Sequence, residues 1–448
     1  MENSILQKVK DTEKLFEGYE IIGNELARVT ALREKLEQQH MTVSVIGQFK
    51  RGKSALVNGI LGRDILPVGI VPVTAVVTTV DYGDEEAAVH FANGKVEKVA
   101  FEEISAFVNE QENRDNHLNV TKVAIKCRSE FLKRNLTFVD TPGVGSLHEK
   151  NSEEAYAFVK ESDAVIFTLS VDSPINQIEI DFLKNAREHA AKFYFAVNKI
   201  DVILPEDLKA YLDYCEKFIA EIMEVDKVML FPVSAKTGQG IEELKEAVLT
   251  ELSADTGNIL RESAGLKLQD IVRSALAEVT LYRKALSMTG AEFDEKFAEI
   301  KEFFKKIHQE TESLPPALKD NGEVAKLHAN EVKNRLTAKV KELFGIDYHY
   351  DIELTSIEPG EDITEAVDKI CQSLEDTLNS IFMYREENTY VVSKRIYKLN
   401  ELVRRLVKMR DSNDQRRVRP SSESEYFKSK RRTPAAFALL SDCGQTPS

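Results

Sequence analysis

The chain has 448 residues, 42% of them hydrophobic, which is enough for two or three domains with cores of their own. Its formal charge of −15 is uneven: residues 391–432 hold 14 Lys/Arg against 5 Asp/Glu, which leaves −24 on the rest. An acidic body argues against nucleic acid as its partner, while the basic segment is a candidate for anionic surfaces.

The four cysteines, Cys127, Cys215, Cys371 and Cys443, form no CxxC pair and sit near no His at zinc spacing. They read as reduced thiols of a cytoplasmic protein. The opening MENSILQKVKDTEK is charged from its second residue, unlike a signal peptide. No apolar run approaches the ~20 residues that span a bilayer, so any membrane contact would be peripheral, on the inner face.

Residues 4–38 read as one helix, with Leu15, Tyr19, Ile22, Leu26, Val29 and Leu36 in a single stripe. Residues 41–46, MTVSVI, read as a strand, and a helix starts near Ser54. From there to about residue 250, apolar runs of buried-strand length (136–139, 164–169, 193–197, 228–233) alternate with helical patterns such as 175–188 and 205–224. That alternation predicts a mainly parallel sheet with helices on both faces. Residues 81–100 interrupt it with a hairpin signal at Asn93-Gly94, expected to add an antiparallel piece.

After residue 255 the strand signals largely vanish. Leu268, Val272, Ala275, Val279, Tyr282 and Leu286 keep helical spacing. Phe293, Phe297, Ile300, Phe304 and Ile307 continue it, as one long helix ending at Pro315-Pro316. Further stripes run through 332–343, 363–374 and 392–406. They predict an all-α bundle, with the first helix packed against it; Gly290 and the short segments favour a bundle over an intermolecular coiled coil. The expected domains are 1–40, 41–254, 255–412 and a basic, disordered tail, 413–448.

GQFKRGKS, residues 47–54, follows a strand and opens a helix, the context in which G-x-x-x-x-G-K-[ST] cradles phosphate. Gly47 and Gly52 let backbone N–H groups turn inward, Lys53 neutralises the β- and γ-phosphates, and the Ser54 hydroxyl is a magnesium ligand. Gln48, Lys50, Arg51 and Ala55 complete the predicted phosphate contacts. Asp140-Thr-Pro-Gly143 ends a strand: Asp140 is placed to hold magnesium through water, and Gly143 to sense the γ-phosphate. Asn198-Lys-Ile-Asp201 ends the next. A carboxylate at Asp201 can accept hydrogen bonds from guanine N1 and its exocyclic amine, a donor pair that adenine lacks. Asn198 is expected on the other edge of the base, and the Lys199 stem over its face. Ser234-Ala235-Lys236 ends a fourth strand, where a backbone N–H can meet guanine O6. Four motifs at carboxyl ends of strands point to guanine nucleotide with Mg2+.

In LPVGIVPVTAVVT, residues 66–78, Thr74 is the candidate to complete the magnesium shell when the γ-phosphate is present. Thr78 and Thr79 compete but read as strand. Small Ras-like GTPases use a Gln after the second switch glycine to orient water. Val144 stands there in this chain, so that role falls elsewhere.

With GQFKRGKSALVNGILG, LPVGIVPVTAVVT, DTPG and NKID, the chain resembles the bacterial dynamin-like proteins over about residues 1–250. The resemblance implies a mechanochemical GTPase. Its G domains would dimerise head to head across GTP, and a helical neck and stalk would carry motion to a membrane. It also implies that Lys50, where guanylate-binding proteins carry an internal arginine finger, acts in cis beside Lys53 and Thr74. Phe49 replaces the polar catalytic residue of dynamins proper. The alternatives are a GTP-dependent switch of the ribosome-assembly type, which lacks an aromatic-interleaved basic platform here, and a non-membrane scaffold.

Overall fold

The computed structural model describes residues 3–68, 76–109, 112–113, 116–133, 135–142, 158–315, 322–346, 363–385 and 389–414. Thr74, Gly143 and Val144 lie outside the described residues, as does the tail beyond 414.

One half is built on a nine-stranded sheet: β1 (Met41–Ile46), β2 (Thr78–Tyr82), β3 (Glu86–Phe91), β4 (Val96–Val99), β5 (Val120–Cys127), β6 (Leu136–Asp140), β7 (Ala164–Ser170), β8 (Lys192–Asn198) and β9 (Leu230–Pro232). The order across it is β4-β3-β5-β2-β6-β1-β7-β8-β9. The central pairs β6–β1, β1–β7, β7–β8 and β8–β9 are parallel. The antiparallel pairs fall at β2–β6 and in the β3, β4 and β5 region, where the Asn93-Gly94 turn announces them. Strand β5, VTKVAIKC, was not foreseen because its polar residues break the apolar run.

Helices cover both faces of the central strands: α3 (Lys53–Leu61) and the start of α7 (Ile241–Ser287) on one, α5 (Gln177–Ala186) and α6 (Pro205–Met223) on the other. A short α4 (Ile104–Val108) lies near β5. Period-2 alternation divides β7 between the two cores. Ala164 and Ile166 join Leu56, Val57 and Leu244, while Val165, Phe167 and Leu169 join Phe182, Leu183 and Ile219.

The second half is helical: α1 (Asn3–Phe16), α2 (Gly23–Glu37), the rest of α7, α8 (Gly290–Glu312), α9 (Gly322–Phe344), α10 (Ile363–Arg385) and α11 (Thr389–Asp414). One apolar core runs through them, from Val9 to Leu406. Helix α7 belongs to both halves. Its apolar residues up to Leu260 lie in the sheet core, and those from Ala264 in the bundle core. Its one non-helical residue is Asp255 (φ −134°, ψ 23°).

Two continuous-helix expectations are corrected. Residues 4–38 form a hairpin of α1 and α2, broken around Gly18, with Arg33 Nε donating back to Glu13 Oε2 at 2.8 Å. The stripe through 268–307 is interrupted at Met288-Thr289. There Thr289 turns extended and its hydroxyl caps Glu292 N at 3.2 Å. In both places the buried face continues across the break, so periodicity alone hides it.

The halves are joined at the end of the sheet away from the motif loops. Asp163, just before β7 and 2% exposed, accepts Thr42 N (2.8 Å), Ser263 Oγ (2.6 Å) and Lys267 Nζ (2.8 Å), and pairs with Lys35 Nζ (2.7 Å). One carboxylate thus links β1, α2 and α7. Burial alone would raise its pKa, but Lys267 and Lys35 outweigh that and hold it at about 2. Burial pulls Lys267 down to about 8 despite Asp163. The two partners differ because the carboxylate faces two ammonium groups, whereas Lys267 is also repelled by Lys35.

Candidate nucleotide site

The phosphate loop connects β1 to α3 and needs both of its glycines. A Cβ on Gly47 would lie 2.4 Å from Thr168 O of the neighbouring strand. Gly52 has φ +85°, and a Cβ there would meet Asn198 Nδ2 at 2.5 Å. Gly52 caps α3, and the N-terminus of a helix suits an anion. Lys53 is buried, with Nζ 3.5 Å from Gln48 O. Burial lowers its pKa to about 8 against the pull of Asp140 and Glu179. Ala55 is half-buried in the first turn of α3.

Strand β6 pairs with β1 in register Val45–Asp140, which brings Asp140 beside the loop. Ser54 Oγ donates to Asp140 Oδ2 at 2.7 Å, and Asp140 Oδ1 is buried without a partner. Burial raises the carboxyl to about 6, opposed by Lys53 and the Ser54 bond. A hydroxyl and a partnerless buried carboxylate oxygen side by side fit a hard divalent cation such as Mg2+.

Strands β8 and β9 lead into the residues expected at the base. Ser234 Oγ donates to Asp201 Oδ1 at 2.7 Å and itself accepts Thr237 N at 3.1 Å, so it orients an otherwise exposed carboxylate. Lys199, at φ +65°, sends Nζ to Asp172 Oδ2 at 2.7 Å. Lys236 is exposed at the rim.

Two residues do work the sequence did not suggest. Asn198, 2% exposed, is a brace: Nδ2 donates to Arg51 O (2.9 Å), while Oδ1 accepts Lys199 N (2.8 Å) and Ala235 N (3.0 Å). It ties the phosphate loop to the 198–201 and 234–236 motifs, and within the latter it engages the Ala235 N–H. Arg51 is corrected as a phosphate-binding side chain. It is 2% exposed and turned away, with Nε and an Nη on the two oxygens of Glu179 (2.9 and 2.7 Å). Its other bonds go to Ser170 Oγ and the carbonyls of Ser170, Ser173 and Pro174. The basic group left on the loop is Lys50, exposed, at φ +67°, with Nζ 5.3 Å from the Phe49 ring centroid. Gln48 Oε1 accepts Asn176 Nδ2 at 2.7 Å. Asp172, Asn176 and Glu179 were missed; the local signal was the helix-start pattern N-x-x-E at 176–179.

The family model described as the dynamin family matches residues 43–201, which hold the phosphate loop, Asp140 and the 198–201 motif. Over those residues the chain is similar to the dynamin family. It is 35% identical over 228 residues to an uncharacterised protein in the xynA 3' region of Caldicellulosiruptor sp., a match covering 50% of this chain and 57% of that one. It is 25% identical over 256 residues to Dynamin-like protein 1 of Campylobacter jejuni, covering 47% and 35%. A solved chain described as part of an oligomerised bacterial dynamin pair that senses and tethers membranes aligns at TM-score 0.43 and 19% identity, over 91% of this chain and 79% of that one. The matched segment spans little more than half of the first relative and about a third of the second.

Proposed function

We propose that this chain binds GTP with Mg2+ and hydrolyses it to GDP and phosphate. The observation that carries this reading is the brace at Asn198. It gathers the phosphate loop, the 198–201 motif and the 234–236 motif within hydrogen-bond reach of one side chain, beside Ser54 and Asp140. Ser54 and Asp140 would hold the metal, with Thr74 completing its shell. Lys53 and the N–H groups of the loop and of Gly143 would take the phosphates, and Asp201 the guanine edge. Lys50, exposed on the loop crest, would stabilise charge developing on the γ-phosphate.

Head-to-head pairing of two G domains is the proposed stimulus for turnover. It is supported by the similarity of residues 43–201 to the dynamin family and by the exposed apolar side chains of Val202 and Leu204 beside the 198–201 motif. The helical half, rooted in the sheet through α7 and Asp163, is the proposed lever. Among the described residues no helix is long and apolar enough to cross a membrane. The proposed membrane action is peripheral, on the cytoplasmic face, through anionic lipid at the basic segment 391–432, at ~1 kcal/mol per Lys/Arg near the surface.

The test is displacement of a fluorescent GDP analogue, followed by sedimentation with anionic and neutral vesicles. Displacement by GDP but not ADP, with pelleting on anionic vesicles alone, is expected. Equal displacement by ADP overturns the guanine assignment. Pelleting that ignores lipid charge, or is absent, overturns the membrane arm and favours a switch or scaffold.

A further inference from the structure

We propose that Arg51 and Glu179 are a positioning pair that holds the phosphate loop in its binding shape, through a strut formed by residues 170–179. This deepens the GTP-binding reading and rests on it.

The shape of the phosphate loop is costly to hold. Lys50, a residue with a Cβ, takes φ +67°, and Gly52 takes φ +85°. Contacts from outside the loop must fix that backbone. Residue 51 is gripped from two sides. Asn198 takes its carbonyl, and its guanidinium is locked in the strut. Glu179 is 0% exposed, and the acceptors around Arg51 use all five guanidinium N–H donors, so none remains for a phosphate.

The strut is itself braced. Glu179 is the third residue of α5 and completes a capping box: it accepts Asn176 N at 3.2 Å, while Asn176 Oδ1 accepts Glu179 N. Asn176 also holds Gln48, the second residue of the loop. Asp172 holds Lys199 of the base motif, and Tyr211 on α6 donates to the Ser170 and Ser173 carbonyls at 3.1 and 3.3 Å. One segment therefore sets the phosphate loop and the base loop at a fixed separation. Arginine suits the task because a planar fork fixes direction as well as distance, which an apolar pair of equal volume cannot do.

The decisive variant is Arg51→Met with Glu179→Met. Replacing a buried ion pair by apolar residues of similar size is often neutral for folding. The expected result is a melting temperature near wild type with a Kd for the fluorescent GDP analogue weakened by about tenfold or more, since misplacing contacts by about 1 Å costs that much. Arg51→Lys, which keeps the charge without the fork, is expected to fail to restore affinity. Should the double variant not fold, Glu179→Gln keeps the cap and most of the volume and is expected to weaken binding by a smaller factor.

A folded double variant, or a folded Glu179→Gln, that binds within twofold of wild type would show that the pair serves folding alone. Tighter GTP binding in Glu179→Gln would show that a released Arg51 reaches phosphate directly. Either result overturns the proposal. Wild-type protein that binds no guanine nucleotide, and matches Lys53→Ala, would instead sink the GTP-binding reading and this inference with it.

Discussion

Asp163→Asn removes one charge from the joint between the sheet and the helical half while keeping the side chain's size. Two positive groups lose their shared partner: Lys267, 13% exposed, and Lys35, 19% exposed. A folded pKa of about 2 against an ordinary 3.8 corresponds to roughly 2 kcal/mol. The uncompensated ammonium groups raise the expected loss at pH 7 to about 3–5 kcal/mol. The sign in acid follows from the depressed pKa. The stabilisation is complete above about 4 and is lost as pH falls toward 2, so wild type and variant should converge there. Burial already lowers Lys267, which makes Lys267→Met the milder change. The assay is urea unfolding by far-UV circular dichroism, which suits a chain without tryptophan. A loss below about 0.5 kcal/mol at pH 7, or a variant that follows the wild-type acid limb, would refute the reasoning.

Asp140→Asn should stabilise the nucleotide-free protein above pH 6 by up to about 3 kcal/mol, because a carboxyl raised from 3.8 to about 6 destabilises the fold once it ionises. The same change should abolish magnesium-dependent tightening of GTP, read by thermal shift with and without the metal. Gly52→Ala, which drives a Cβ into Asn198 Nδ2 and strains φ +85°, should cost nucleotide affinity and lower the melting temperature together. Lys50→Ala should leave the Kd for GDP within about twofold, the range of an exposed charge, and cut turnover; unchanged turnover at high protein concentration would dismiss the cis role.

Much of the fold is legible because strands buried on both faces read as apolar runs and motif loops need particular residues. Gly47 is dictated by Thr168 O and Gly52 by its positive φ, so both stand out in the sequence. What stayed hidden has other causes. The breaks at Gly18 and Thr289 leave the apolar stripe intact, and periodicity reports a face, not the continuity of a helix. Arg51 looked like part of a basic phosphate contact because its partner, Glu179, is 128 residues away. Asn198 looked like a base ligand because nothing local shows that Gly52 lies against its amide. Asp163 had no motif at all; its role depends on α2 and α7 meeting at the foot of β7.

The most direct measurement is steady-state GTP hydrolysis against protein concentration, with ATP as the competing substrate and Lys53→Ala as the blank. The account expects hydrolysis of GTP alone, absent in the blank, with a rate per molecule that rises with concentration as G domains pair. Activity equal to the blank at every concentration, or equal turnover of ATP, would contradict it.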